Sequence, residues 1–147
     1  TTRQDTPIIY ESSERFPIGG CKVLRKSDKD VVTIIAAGIT LHETLKAYEE
    51  LKKENINIRV IDLYWVKPID KKTIQNSAYE TKAIITVEDH FAEGGIGEAV
   101  RSCINTIEVP VYSLAVKKIP KSGKTQELLD YEGISKNSII NKVKELI

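Results

Sequence analysis

The sequence predicts an α/β protein built as a three-layer α/β/α sandwich. Two observations carry that expectation. Short apolar, β-branched runs of strand length alternate with stretches of helical period. The intervals between the runs suit helical crossovers, which connect parallel strands, rather than hairpins. A third observation bounds the answer: 147 residues fit one domain that buries roughly two-thirds of its unfolded surface.

The elements follow in order. Residues 21–26 (CKVLRK) form a first strand, entered from Gly19 and Gly20 and left through 27–30 (SDKD). Residues 31–36 (VVTIIA) read as a strand buried on both faces. Gly38 ends it, and 40–43 (TLHE) reads as a capping box opening a helix. Leu41, Leu45, Tyr48 and Leu51 mark the apolar face of that helix, with Lys46, Glu49, Glu50 and Lys53 in water. His42 is expected at its exposed rim. Residues 58–62 (IRVID) are a third strand, and 67–70 (KPID) a turn into a short helix ending at Ala78. Residues 83–88 (AIITVE) are a fourth strand, followed by a glycine-rich turn and a helix over 97–104. Residues 111–116 (VYSLAV) are a fifth. Two helices follow Pro120, the last capped by Ser135 and carrying Ile139, Ile140, Val143, Leu146 and Ile147 inward. Residues 1–18 fall outside the alternation and read as a linker.

Composition excludes several function classes. Twenty-two basic residues against 21 acidic leave no electrostatic reason for a nucleic-acid partner or an acidic membrane surface. No apolar run approaches the roughly 18 residues of a membrane span, and the amino-terminal residues lack the apolar core of a secretory signal. Cys21 and Cys103 can be paired on paper, but they read better as reduced, partly buried thiols of a cytoplasmic protein. With His42 and His90 the only histidines, no zinc spacing can be assembled. A chain without any methionine reads as a piece of something longer.

Three motifs invite chemistry. Residues 122–125 (SGKT) resemble the end of a phosphate loop, but Lys118 stands where that loop needs glycine, Pro120 intrudes, and no strand-to-helix turn of the right spacing is expected there. Residues 94–97 (GGIG) lie between a strand and a helix, where open α/β sheets bind ligands. Val100 replaces the third glycine of a dinucleotide fingerprint and no acidic ribose partner follows, so glycines for a tight turn and close helix packing are the preferred reading. A casual phosphate or sulfate at the helix start stays open. Glu88, Asp89 and His90 precede that turn and could move protons, but neighbours on a strand point to opposite faces. The trio reads as a structural or interface corner, and no complete catalytic machine is visible.

The same residues, taken jointly, resemble the C-terminal domain of transketolases. The resemblance runs over essentially the whole chain through 1–4 (TTRQ), 37–43 (AGITLHE), 58–62, 67–70, 87–100 (VEDHFAEGGIGEAV), 120–124 (PKSGK), 127–129 (ELL) and 133–134 (GI). Each piece alone is common; their order and spacing are specific, and closest to the shorter, animal-type members. Leu63, Tyr64 and Trp65 depart from the Pro-Phe-Thr of many relatives, which affects a local turn or an interface.

The resemblance implies a mixed five-stranded sheet with one antiparallel strand, at 21–26, and a division into a linker (1–18) leaving a middle domain and a C-terminal domain (19–147). It implies a parent homodimer that moves a two-carbon ketol unit between sugar phosphates in the pentose phosphate pathway. Such enzymes use thiamine diphosphate and a divalent metal, magnesium or calcium. The catalytic glutamate and histidines belong to other domains, so this chain is expected to be structural, bind no cofactor and be inactive alone. One site residue carries over: Arg3 matches the arginine that binds the sugar phosphate, where a planar guanidinium can grip two phosphate oxygens. Deoxyxylulose-phosphate synthase and the β subunit of 2-oxoacid dehydrogenases share the fold and the glycine turn and stand as alternatives. A free-standing anion-binding or interaction module is a third.

Overall fold

The structure, a computed structural model, describes residues 6–119 and 121–147. Five strands form one sheet in the order β1-β3-β2-β4-β5. They are β1 (Lys22–Arg25), β2 (Val32–Ala36), β3 (Ile58–Asp62), β4 (Ala83–Phe91) and β5 (Val111–Val116). Strand β1 runs antiparallel to β3, and the other neighbours are parallel. The expected mixed sheet is therefore present, with its antiparallel member where the resemblance put it.

All five positions of β2 and of β3 are buried, apolar except at Thr33, Arg59 and Asp62. Side chains still alternate between faces. Ile34, Val60, Ile85 and Val87 pack under helices α1 (Ile39–Lys53) and α5 (Lys136–Glu145), with Leu129 of α4 (Thr125–Glu132). Ile35, Ile61 and Ile84 pack on the opposite face, under α2 (Lys71–Glu80) and α3 (Ile96–Cys103). Each such isoleucine contributes about 1.5–3 kcal/mol through removal from water. Two pairs of polar side chains inside the layers meet each other: the Thr33 and Thr81 hydroxyls lie 2.9 Å apart, as do those of Thr86 and Ser113.

Register sets up the site. Val32 is level with Ile58 on one side and Ala83 on the other, so Ala36 ends beside both Asp62 and Val87. The central strands thus finish in one row at their carboxyl ends.

Three local expectations change. Residues 40–43 form no capping box: Gly38 is the N-cap, with φ 60° and ψ −132°, backbone angles that glycine alone adopts cheaply. Thr40 is buried, its hydroxyl 2.8 Å from the carbonyl oxygens of both Ala37 and Val87. Glu43 is buried as well and accepts the Lys136 amide at 2.8 Å, so it caps α5 instead of its own helix. That explains the second change. Ser135 stands at the N-cap of α5 without a side-chain cap bond, its hydroxyl 3.3 Å from that of Ser138. Third, Ile139 and Val143 are buried as expected, but Ile147 is 57% exposed, beyond the end of α5.

Candidate functional site

Open α/β sheets bind ligands at the carboxyl ends of their strands, where the strand order reverses. Here β2 is followed by β3 on one side and then by β4 on the other, which places the reversal between β2 and β4. That crevice is closed by the chain itself, because Thr40 spans it from Ala37 to Val87.

On the β4 side, the glycine turn is also occupied from within. Glu88 is 3% exposed and accepts the amides of Ile96 at 2.6 Å and Gly97 at 3.0 Å, at the start of α3. Glu98 accepts the Gly94 amide at 2.9 Å. A carboxylate on these amides supplies the negative charge that a helix N-terminus favours. The glycine spelling follows from this close approach. A Cβ at position 95 would lie 2.0 Å from Glu88 Oε2, and one at 97 would lie 2.3 Å from Ser113 Oγ. The preferred reading, a tight turn with close packing, holds, and two amides at the start of α3 are taken by Glu88.

The loop before α4 repeats that device. Residues 122–124 lie in the loop between β5, which ends at Val116, and α4, which begins at Thr125. Yet the amides of Lys117 and Lys118 point to Glu132 Oε2, at 3.1 and 3.2 Å, rather than to a vacant nest. Between this loop, α4 and the end of β4 lies a cleft of about 430 Å³, with His90, Phe91, Val116 and Leu128 in its wall. Asp89 and His90 are exposed while Glu88 is buried, so the trio does not converge on one point.

The β3 side is sealed differently. Asp62, the last residue of β3, is 5% exposed and accepts the Tyr10 hydroxyl at 2.5 Å. Burial pushes the Asp62 carboxyl up, against the lowering effects of the Tyr10 bond, Lys22 and His42. Burial and the same bond push the Tyr10 phenol up. His42, half-buried in the first turn of α1 as expected of a rim residue, is shifted down by burial and by Lys46. Residues 6–20, which carry no helix or strand, lie across this side as a strap. Tyr10 meets Phe16 edge-on at 4.9 Å, and Phe16 meets Tyr64 in the same way. The Lys22 ammonium sits over the rings of Tyr10 and Phe16 and pairs with Glu14. Tyr64, in the stretch that departs from many relatives, donates to Pro17 O at 3.3 Å.

Sequence reasoning missed Tyr10 and Asp62. The available signal was an acid closing an apolar strand and a string of aromatics in a segment without periodicity. Arg3, the substrate residue implied by the resemblance, lies outside the described residues. Both cysteines are free; burial and the Asp70 carboxylate push the Cys21 thiol up to about 12, so it stays protonated at neutral pH. Among the described residues, no three His, Cys, Asp or Glu side chains are grouped to hold a metal ion.

Residues 20–139 match the family model of the transketolase C-terminal domain. The chain belongs to that family. It is 51% identical over 149 aligned residues to the transketolase of Homo sapiens, a match covering all of this chain and 24% of that protein. It is 53% identical over 146 residues to transketolase-like protein 1 of Macaca fascicularis, covering 98% of this chain and again 24% of the other. The chain thus spans about a quarter of the length of the curated relatives it matches. Among solved structures, a split-gene transketolase described as an inactive β4 tetramer superposes with TM-score 0.88 at 33% identity, over 95% of this chain and 46% of that one. The transketolase of Campylobacter jejuni shares the fold at TM-score 0.64 and 18% identity, over 86% of this chain and 18% of that one.

Proposed function

We propose that this chain is the C-terminal domain of a transketolase, structural in the parent and catalytically silent alone. The observation that carries the reading is identity near 50% across the whole chain to transketolases four times its length. The parent would transfer a two-carbon ketol unit from a ketose phosphate to an aldose phosphate, in the cytoplasm, as a homodimer. Its thiamine diphosphate and divalent metal would be held by the domains that precede this one.

The described residues do not fit that cofactor, which supports the division of labour. The amides at the start of α3 that could take a diphosphate are bound by Glu88, and those after β5 by Glu132. No step of the reaction is therefore assigned to them. Residues 1–18 would be the exit from the middle domain and 19–147 the domain itself. Arg3, in that exit, would bind the substrate phosphate through paired charge-assisted hydrogen bonds.

The test incubates the 147-residue chain with thiamine diphosphate, magnesium, xylulose 5-phosphate and ribose 5-phosphate. No turnover is expected from the chain alone, and turnover is expected from the complete parent. Activity of the isolated chain would overturn the reading.

A further inference from the structure

The cleft at the end of β4 holds an arrangement that regular strand geometry forbids. Asp89, His90 and Phe91 are consecutive, yet all three line it. Neighbours on a regular strand point to opposite faces. The ladder explains the exception. Val87 is level with Leu114 and Phe91 with Val116, so Glu88, Asp89 and His90 together stand opposite Ala115 alone. A bulge of this kind re-aims side chains, and here it gathers them at the carboxyl end of the sheet.

The size and lining of the cleft suit a small molecule. Its volume is about 430 Å³, inside the range of about 300–1,000 Å³ usual for such sites. Val116 and Leu128 give it apolar walls, and Phe91, 47% exposed, offers a ring on which a flat group can pack. His90 is oriented beside them, its Nδ1 2.9 Å from the Phe91 carbonyl oxygen.

Charge selects among ligands. The wall contains the carboxylates of Asp89 and Glu132 and the ammonium of Lys121. Glu132 already accepts the amides of Lys117 and Lys118, and Asp89 is engaged as well. Lys121 differs. Its ammonium lies 4.7 Å from the centre of the Tyr131 ring, which Lys118 also covers. Among the described residues, no carboxylate pairs with it. A ring face holds a cation less firmly than a carboxylate does. The surrounding loop, 117–124, adds Lys117, Lys118 and Lys124 and no acid.

We infer that this cleft binds a small monocarboxylate with a flat apolar body. The body packs against Phe91, Val116 and Leu128, and the carboxylate pairs with Lys121. Asp89 and Glu132 repel a second negative charge, so a phosphate dianion is a poor fit. The site therefore stands apart from the sugar-phosphate chemistry proposed for the parent and does not rest on it.

The test titrates probes into the isotope-labelled 147-residue chain and follows its amide resonances. The probes are 3-phenylpropionate, phenethylamine (a similar ring with the opposite charge) and acetate (the carboxylate without the ring). 3-Phenylpropionate should bind saturably, with a Kd on the order of 1 mM and shifts concentrated at 89–91, 121–125 and 128–134. Acetate and phenethylamine should bind at least about 5-fold more weakly. Lys121→Ala should weaken 3-phenylpropionate about 5-fold and remove its advantage over phenethylamine. Lys124→Ala, in the same loop but outside the lining, should leave binding unchanged. Both substitutions are at exposed loop positions, so their remaining resonances should overlay those of wild type.

Equal affinity for the three probes, a preference for phenethylamine, or shifts scattered outside the cleft would overturn the inference. So would a Lys121→Ala chain that binds 3-phenylpropionate as tightly as wild type. The complete parent enzyme should bind this probe with the same affinity. Binding by the chain but not by the parent would show that another part of the parent fills the cleft, which also overturns the inference.

Discussion

The two sides of the sheet's carboxyl edge solve one problem by different means. Both hold a buried carboxylate toward the carboxyl end of a parallel strand, Glu88 within β4 and Asp62 at the last position of β3. Glu88 is satisfied locally, by amides eight and nine residues further on. Asp62 is met by a tyrosine 52 positions away, carried on a strap without regular structure. The first arrangement is part of the turn itself. The second ties a separate segment to the domain, so it can be released without dismantling the sheet.

That contrast predicts the largest effect at Glu88. Glu88→Ala strands two amides and removes two charge-assisted bonds, for a loss of about 3–5 kcal/mol. At about 2–4 °C per kcal/mol, thermal unfolding of the chain should shift down by roughly 6–20 °C. A shift of only a degree or two would show that the turn does not depend on its carboxylate.

Gly95→Ala should come next, at about 1–3 kcal/mol, since its methyl meets a carboxylate locked in place by α3. The cost should shrink in a Glu88→Ala background, where the obstructing group is gone, and a double-mutant cycle reads that coupling directly. Additive costs would contradict the assigned cause.

Smaller effects separate the carboxylates by pH. Burial raises the Glu43 carboxyl, but its bonds from Lys46 and from the Lys136 amide outweigh that and leave it below the usual 4.5. Its stabilisation is therefore present above the unfolded value and lost as pH falls through the folded one. Denaturant curves for wild type and Glu43→Gln should differ at pH 7 and converge as pH falls through the lowered folded value of Glu43. Asp62 has the opposite sign. Its carboxyl is raised above 3.8, so its ionisation costs stability as pH rises through the folded value. Asp62→Asn should then cost less at pH 7 than Glu43→Gln does, and its difference from wild type should also fade in acid. Equal slopes for the two variants would remove the distinction between the two environments.

Much of this architecture is readable from residues alone. The third and fifth strands are found with their expected bounds, because runs of five or six residues rich in apolar side chains and bounded by turn chemistry leave little freedom. The glycines at 94–97 announce a tight turn, and glutamate before them announces a charge near it. The fourth strand runs three residues further than expected, to Phe91, because Phe91 pairs with Val116 of β5, a partner that periodicity cannot see. Glu43 looked like a cap for its own helix because spacing is a local property, whereas its bond partner lies 93 residues away.

The sequence by itself determined the layer order, the alternation of strands and helices, and the family, since each follows from local pattern or from motif order along the chain. The tertiary structure alone decided which charges meet. It put Glu88 on the α3 amides, Glu132 on the amides after β5, and Tyr10 on Asp62. The physical reason is that a buried carboxylate must find donors wherever the fold brings them, and distance along the chain does not constrain that choice.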